Sequence, residues 1–323
     1  MKLAKKTLAS IICLLIIVCI NFFLPRIIPG DPVLMLTGQD TAALSPQQIQ
    51  QHMEKLGLDK PLSHQFKVYL IGLLKGDLGY SYHYSENVGT LLAKRIPVTL
   101  QLAIPTVIIS TLLAVILGSW AGYHNGSGFD KTVTNLMLGV NAIPVFLMAM
   151  ILVSIFSFKL DIFPLGGMNS IVPPTGAVDF LLDRIYHLAL PVLTLSLVSV
   201  PEKYLVIRNS VAAASREKYV TYAQTKGISK SRIIFVHILS NISDTVVAML
   251  GMNLAFIVSG SLISEVIFSI NGMGSLMYEA VSFRDYPALQ GCLLATGLAV
   301  LIASITTDLF CFIMGKGQNV DTE

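Results

Sequence analysis

Residues 98–122, VTLQLAIPTVIISTLLAVILGSWAG, run for 25 positions without a charged side chain. A helix crosses the hydrocarbon core of a bilayer in about 20 residues. Inside hydrocarbon every backbone amide must be paired within its own segment, which leaves the helix as the conformation for such a run. Five further charge-free stretches repeat the pattern: Leu8–Leu24, Thr132–Phe158, Ile185–Pro201, Thr245–Ser264 and Pro287–Thr307. The predicted fold is therefore all-α, a polytopic membrane protein of six transmembrane helices. The fourth stretch is short and carries Pro191 and Pro201. It is expected to continue past Glu202 and Lys203 to about Arg208, with those charges at an interface or against protein.

Composition agrees with this class. Hydrophobic residues make up 54% of the 323-residue chain and charged residues 13%, against about 25% charged in soluble domains. One polytopic domain accounts for the length, and no nucleic-acid partner is expected. Lys2, Lys5 and Lys6 precede the first apolar run as in a signal peptide, but the run is long for that role and Leu24-Pro25-Arg26 offers no small-residue cleavage site, so it reads as a retained helix. The four cysteines, Cys13, Cys19, Cys292 and Cys311, all lie in apolar runs without Cys-x-x-Cys spacing and read as small core residues.

Basic residues near the spans set the expected orientation. The amino terminus has three basic residues and no acid, and Lys203–Arg232 has seven against the single acid Glu217. Both are expected in the cytoplasm. Lys159–Arg184 has two basic against three acidic residues, and Glu265–Tyr286 one against three, as expected for the opposite side. Six spans with both termini cytoplasmic satisfy every short loop. The expected organisation is a transmembrane helix in 1–29, an extracytoplasmic loop with amphipathic helices in 30–96, a transmembrane core in 97–315 and a cytoplasmic tail in 316–323.

In the 30–96 loop, Ser45-Pro46-Gln47-Gln48 resembles an N-cap followed by proline in the first turn, with Ile49, Met53 and Leu56 on one face. A second helix is expected after Pro61, with Phe66, Tyr69, Leu70, Leu73 and Leu74 on one face and Gly76 beyond its end. Such helices lie on a membrane surface, cover a transporter mouth, or form a folded cap with no ligand role. Within 98–122, Ala114, Gly118 and Gly122 recur every four residues and make a face that another backbone can approach closely. Pro105, Pro144 and Pro191 each remove a backbone donor and can bend their helices, either as pathway lining or as plain packing features.

Residues 219–241, YVTYAQTKGISKSRIIFVHILSN, interrupt the apolar pattern with a basic stretch punctuated by glycine. Over about 209–236, Ala212, Ala213, Ala214 and Ala223 favour helix up to Lys226. Gly227 suits a left-handed C-terminal cap and Ser229 can cap the helix that follows. The result is a helix-Gly-helix elbow. Six basic residues between Arg208 and Arg232 also suit anionic lipid head groups.

The chain carries no Gly-x-x-x-x-Gly-Lys-Ser/Thr phosphate loop, no His-Glu-x-x-His and no Gly-x-Ser-x-Gly, so neither ATP hydrolysis nor a catalytic or metal site is assigned to it. The six histidines are scattered, and His237 reads as a hydrogen-bonding residue of a loop or helix end. Asp308, in the last apolar run, is either a proton-relay carboxylate or a residue that snorkels or pairs with Lys316. A stand-alone ion- or proton-coupled carrier would need buried ionisable residues at mid-membrane and often internal repeats. The sequence offers only Asp308, off-centre. A membrane-embedded enzyme would need a catalytic constellation.

An ordered set of short motifs carries a resemblance over about Arg26–Gly291. It comprises Ile28-Pro29-Gly30-Asp31-Pro32, Gly57-Leu58-Asp59-Lys60-Pro61-Leu62, Lys75-Gly76-Asp77-Leu78-Gly79-Tyr80-Ser81, and Ile96-Pro97-Val98-Thr99-Leu100-Gln101-Leu102-Ala103. Ile143-Pro144-Val145-Phe146, Lys226-Gly227, His237 with Asn241, Glu265-Val266-Ile267-Phe268 and Arg284-Asp285-Tyr286-Pro287 follow. With these the chain resembles a permease subunit of the dipeptide, oligopeptide and nickel ABC importers. The resemblance implies a type I importer permease fold in a bacterial or archaeal cell membrane. The implied partners are a second homologous permease, two ABC ATPases that bind ATP and Mg, an extracytoplasmic solute-binding protein and membrane lipid. It implies that Tyr219, Ala223, Lys226, Gly227 and Arg232 belong to the ATPase-coupling loop. Asp31, Asp77, Glu265, Arg284 and Asp285 would lie on the gate or binding-protein side, although caps and turns explain Asp31 and Asp77 equally well.

Three departures bear on substrate. The Glu-Ala-Ala with which the general importer loop begins is Thr221-Tyr222-Ala223 here, Asn271 stands before Gly272 where the family usually has proline, and the basic carboxy-terminal ending is replaced by Gly315-Lys316-Gly317-Gln318. Short peptides are the expected cargo, with nickel or cobalt and metal-opine complexes as alternatives on the same scaffold.

Overall fold

The structure is a computed structural model that describes residues 2–27, 59–81, 83–172 and 174–313, together with residues 45, 47, 50, 51 and 54. Asp31, the expected helix at 45–56 and Lys316 with the rest of the tail fall wholly or largely outside the described residues. The described residues are mostly helical, joined by turns and loops, with one short hairpin. It divides into two units, residues 1–99 with 271–301, and residues 100–270 with 302–323.

In the first unit, helix α1 (Lys2–Ile27) is followed by α2 (Leu62–Leu74), the hairpin β1 (Tyr80–Ser81) and β2 (Glu86–Asn87), the start of α3 (Val88–Tyr123), α11 (Met273–Ser282) and most of α12 (Tyr286–Ile313). Helix α2 starts after Pro61 and half-buries the face that carries Phe66, Tyr69, Leu70 and Leu73, while Leu74 turns out to solvent. Its anchor is Phe22 of α1, whose ring meets Phe66 edge-on at 5.0 Å and lies under the Arg26 guanidinium at 3.7 Å. Arg26 donates two bonds to Gln65 Oε1, at 3.1 and 2.9 Å, so one side chain ties α2 to α1. Val88, Leu91 and Leu92 of α3 bury against Met273, Leu276 and Cys292.

In the second unit, α3 runs on to Tyr123 and is followed by α4 (Gly128–Asn141) and α5 (Val145–Lys159, with π geometry from Val153). The single helix α6 (Ala177–Ala214), α7 (Lys218–Thr225), α8 (Lys230–Asn241), α9 (Ser243–Gly260) and α10 (Leu262–Ile267) complete it. Pro144 stands at the N-cap of α5, where its missing donor costs nothing, and the chain bends by 97° between α4 and α5. Pro105, Pro191 and Pro201 sit inside unbroken helices. A second bend, of 64°, separates α8 from α9.

Among the described residues, α3, α6 and α12 are long and apolar enough to cross a membrane, and five such spans result if each bent pair counts as one. The remaining expected stretch, Leu8–Leu24, lies in α1, where Ile12–Phe23 forms a shorter apolar helix. The fourth expected span is in fact the longest helix, 38 residues, continuing through Glu202 and Lys203 to Ala214. Counting charge-free positions underestimates it because its charges are arranged by face: Glu202 is exposed, and Lys203, 1% exposed, reaches Ser110 Oγ of α3 at 2.5 Å.

The small-residue face of α3 does what its spacing predicts. A Cβ on Gly118 would sit 3.0 Å from the Tyr204 carbonyl and 3.2 Å from the Arg208 amide, and one on Gly122 would collide with the Arg208 carbonyl and come 2.9 Å from Val211 Cβ. Glycine at these two positions lets α3 and α6 touch backbone to backbone.

Candidate functional site

The expectation of continuous helix from Ala212 to Lys226 is corrected by the structure. Helix α6 ends at Ala214, residues 215–217 turn, and α7 begins at Lys218 after Glu217 in an extended conformation (ψ 150°). The polar run Ser215-Arg216-Glu217 has no apolar residue to place on the inner face, and Ser215 turns its hydroxyl back to the Ala212 carbonyl at 2.9 Å.

Helix α7 is stopped by a complete Schellman motif. Gly227 has φ +73°, its amide donates to the Gln224 carbonyl at 2.9 Å, and the Ile228 amide donates to the Ala223 carbonyl at 3.2 Å. Nothing would stand within 4 Å of a Cβ on Gly227, so backbone conformation and not space reserves the position for glycine. Ser229 occupies the N-cap of α8 with ψ 144°, and its carbonyl takes the Ile233 amide at 3.0 Å, but its side chain makes no cap bond.

The elbow stands on an apolar cluster. Val220 and Ala223 of α7 bury against Ile207 and Val211 of α6, and against Ile233, Ile238, Ile242 and Met249 of the returning chain, with Tyr219 and Ile228 packed at the edge. Gln224 Nε2 also donates to Tyr123 Oη, at the end of α3, at 3.0 Å. On the outer side Lys218, Thr221, Tyr222, Thr225, Lys226, Lys230 and Arg232 are exposed. The Lys226 ammonium lies 4.5 Å above the Tyr222 ring, which is 61% exposed.

The five residues assigned to the coupling loop thus divide. Lys226, Gly227 and Arg232 are on the outer side; Ala223 is 6% exposed and faces inward; Tyr219 is half-buried with its hydroxyl enclosed. Tyr222, absent from that set, is the largest exposed side chain of α7. The i, i+3 pair Val220 and Ala223 marks the inner face and would have put Tyr222 outside.

The second set is spread over structural roles. Asp77 accepts the Gly79 amide at 2.9 Å and closes a turn. Asp285 is buried at the N-cap of α12, taking the Ala288 amide at 3.2 Å and the Ser81 hydroxyl, which fastens the β-hairpin to the helix start. Arg284 before it is exposed with φ +56°. Beside them Tyr84 donates to Glu279; burial, and then that bond, push its phenol up from the ordinary range. In the second unit Glu265 is buried in α10 and accepts from Ser261 Oγ at 2.8 Å. Asp308 is half-buried on α12.

Comparison with known proteins agrees with this architecture. Residues 114–318 match the family model described as binding-protein-dependent transport system inner membrane component, and residues 1–103 match the model of the N-terminal part of such components. The chain is 32% identical over 304 residues to the di/tripeptide transport system permease protein DppB of Pseudomonas aeruginosa, covering 90% of each chain. It is 30% identical over 310 residues to the dipeptide transport system permease protein DppB of Escherichia coli K12, covering 91% of each. The chain belongs to the binding-protein-dependent transport system inner membrane components, as a permease of the dipeptide and oligopeptide ABC importer family.

Proposed function

We propose that this chain pairs with a second, related permease to form the translocation path of an ABC importer for short peptides. The path receives cargo from an extracytoplasmic binding protein and is driven by two separate ATPase subunits. Both termini and the elbow then face the cytoplasm, as the distribution of basic residues suggests. The observation that carries the reading is the elbow: α7, eight residues capped by Gly227 with its inner face fixed to α6, and the start of α8, whose exposed Lys218, Tyr222, Lys226 and Arg232 are together open to another protein. Peptide as cargo rests on the two DppB relatives. ATP binding closes the ATPases, the elbow moves with them, and the helices open toward the other side. The permease contributes the route and the linkage, and the bond-breaking belongs to its partners.

Purification of the tagged chain from its native cells, with mass spectrometry of co-purifying proteins, tests the assembly. Two ATPases, a related permease and a binding protein are expected, and uptake of a labelled dipeptide by the reconstituted complex identifies the cargo class. A chain that moves solute alone under a proton or sodium gradient sinks the reading. Uptake of nickel but no peptide moves the chain to the metal branch. Substitution at the cap tests the elbow itself: Gly227→Val is expected to abolish uptake, since a β-branched residue resists φ +73°, whereas Gly227→Asn, which tolerates the left-handed region, retains a large part of it.

A further inference from the structure

The elbow explains where force arrives but not how a displacement of α7 reaches the other helices of its unit. Arg208 lies less than two turns before the end of α6. Its guanidinium grips Asp130 of α4 as a fork, Nε to Oδ1 at 2.9 Å and Nη2 to Oδ2 at 2.6 Å, and Nη2 also reaches Asn125 Oδ1 at 2.7 Å. Asp130 is 2% exposed. Its carboxylate further accepts the Gly126 amide at 2.8 Å and the Thr134 hydroxyl at 3.3 Å, while Ser127 caps its amide at 3.2 Å. The whole turn between α3 and α4 is therefore folded around the acid that Arg208 holds. One helical turn before Arg208 on α6, Tyr204 Oη pairs with Thr134 Oγ1 at 2.9 Å, and the Gly118 and Gly122 contacts press α3 against the same stretch. Three helices meet at this joint, and the elbow's cluster, through Ile207 and Val211, occupies the neighbouring positions of α6.

An ion pair with its acid buried and its guanidinium partly exposed is a weak source of stability, because its attraction is largely offset by desolvation of the acid and screening of the arginine. What a bidentate fork supplies is orientation: it resists rotation and sliding of one helix on another, which interchangeable apolar contacts permit. We propose that Asp130 and Arg208 are positioning residues for transport, a strut that makes α3, α4 and the end of α6 follow the elbow together. Without the fork, α6 slips on α4 and the displacement of the elbow is absorbed at the joint. Asn125, exposed at the edge, supports the same guanidinium in a smaller way.

The proposal rests on the importer reading, so the test begins with the wild-type complex, reconstituted with its partners and given its binding protein and a labelled dipeptide. ATP hydrolysis that dipeptide-loaded binding protein does not stimulate overturns the importer reading and the strut with it. Given stimulation, the variants are Arg208→Lys, which keeps the charge and loses the fork, Asp130→Asn, which keeps the shape, and Asn125→Ala. The expected result for the first two is assembled complex of normal stoichiometry, an unchanged KM for uptake, and at least a tenfold fall in dipeptide moved per ATP hydrolysed. Asn125→Ala is expected to fall between them and wild type. A wild-type ratio in Arg208→Lys overturns the strut alone. So does uptake that drops only in proportion to the amount of complex assembled, since that is the signature of a residue needed for folding and not for linkage.

Discussion

The two ends of α6 are held by different physics. At its amino-terminal end the helix fastens the 160–172 segment with polar spokes: Asp183 takes the Ser170 amide at 2.9 Å and its hydroxyl at 2.6 Å, Arg184 donates to Asn169 at 2.9 Å, and Tyr186 donates to the Ile162 carbonyl at 2.7 Å. The tip of that segment, Ile171 and Val172, stands 101% and 83% exposed. At its carboxy-terminal end the helix fastens the elbow through a shared apolar cluster, and is itself held to α3 by two glycine contacts and to α4 by the Asp130 fork. Separate hydrogen bonds can be lost one at a time, each with a net effect of about 1 kcal/mol. A close-packed cluster shared by four segments yields as a unit, because each side chain supports the others. The first arrangement suits a segment that is displaced locally, and the second suits one that must carry a load.

The contrast can be broken most severely at the glycines. Gly122→Val drives a branched side chain into the Arg208 carbonyl and Val211. A destabilisation of about 3 kcal/mol is expected, seen as loss of complex in detergent gel filtration and as exposure of the elbow to protease. Asp183→Ala should act on the other end alone. Hydrogen exchange in 160–172 is expected to rise roughly tenfold, as for the loss of about one net hydrogen bond, with protection in 218–232 unchanged. A rise at both ends would show that α6 does not isolate them.

Lys203 lies between the ends, enclosed, with Ser110 as its hydrogen-bond acceptor and the exposed Glu202 as its charged chain neighbour. Lys203→Met keeps the stem and removes the amine. It is expected to leave the thermal midpoint of the complex unchanged or to raise it by the equivalent of about 1 kcal/mol, and a marked fall would show that its bond to Ser110 stabilises the contact between α3 and α6. The smallest effect on stability is expected outside the cluster. Tyr222→Ala removes an exposed ring that lies under the Lys226 ammonium and should change stability by less than about 0.5 kcal/mol. It should nevertheless weaken retention of the ATPases in pull-down assays. Unaltered retention would move the docking surface elsewhere on the elbow.

Much of the fold was legible because a bilayer leaves few choices. Charge-free runs located the long helices, the four-residue spacing of Ala114, Gly118 and Gly122 announced the close contact on α3, and Gly227 announced the end of α7. These are local properties, fixed by solvation of the backbone and by what a Cβ forbids. Which way the side chains of the candidate sites turn was not local. Ala223, read as part of an interface, faces inward because α7 has only one apolar face and the cluster beneath it uses Val220 and Ala223 together. Asp285, read from the sequence as a residue of the gate or binding-protein side, also caps α12 and holds the hairpin, a role its neighbours along the chain do not announce. Pairings across 78 and 93 positions, Asp130 with Arg208 and Ser110 with Lys203, leave no trace in the spacing of either partner. The sequence determined that this chain lies in a membrane, that a glycine ends α7 and where the backbone of α3 can be approached. The tertiary structure decided which charges are enclosed and with what they pair, because the free energy of burying a charge depends on the groups the fold brings around it and not on its neighbours along the chain.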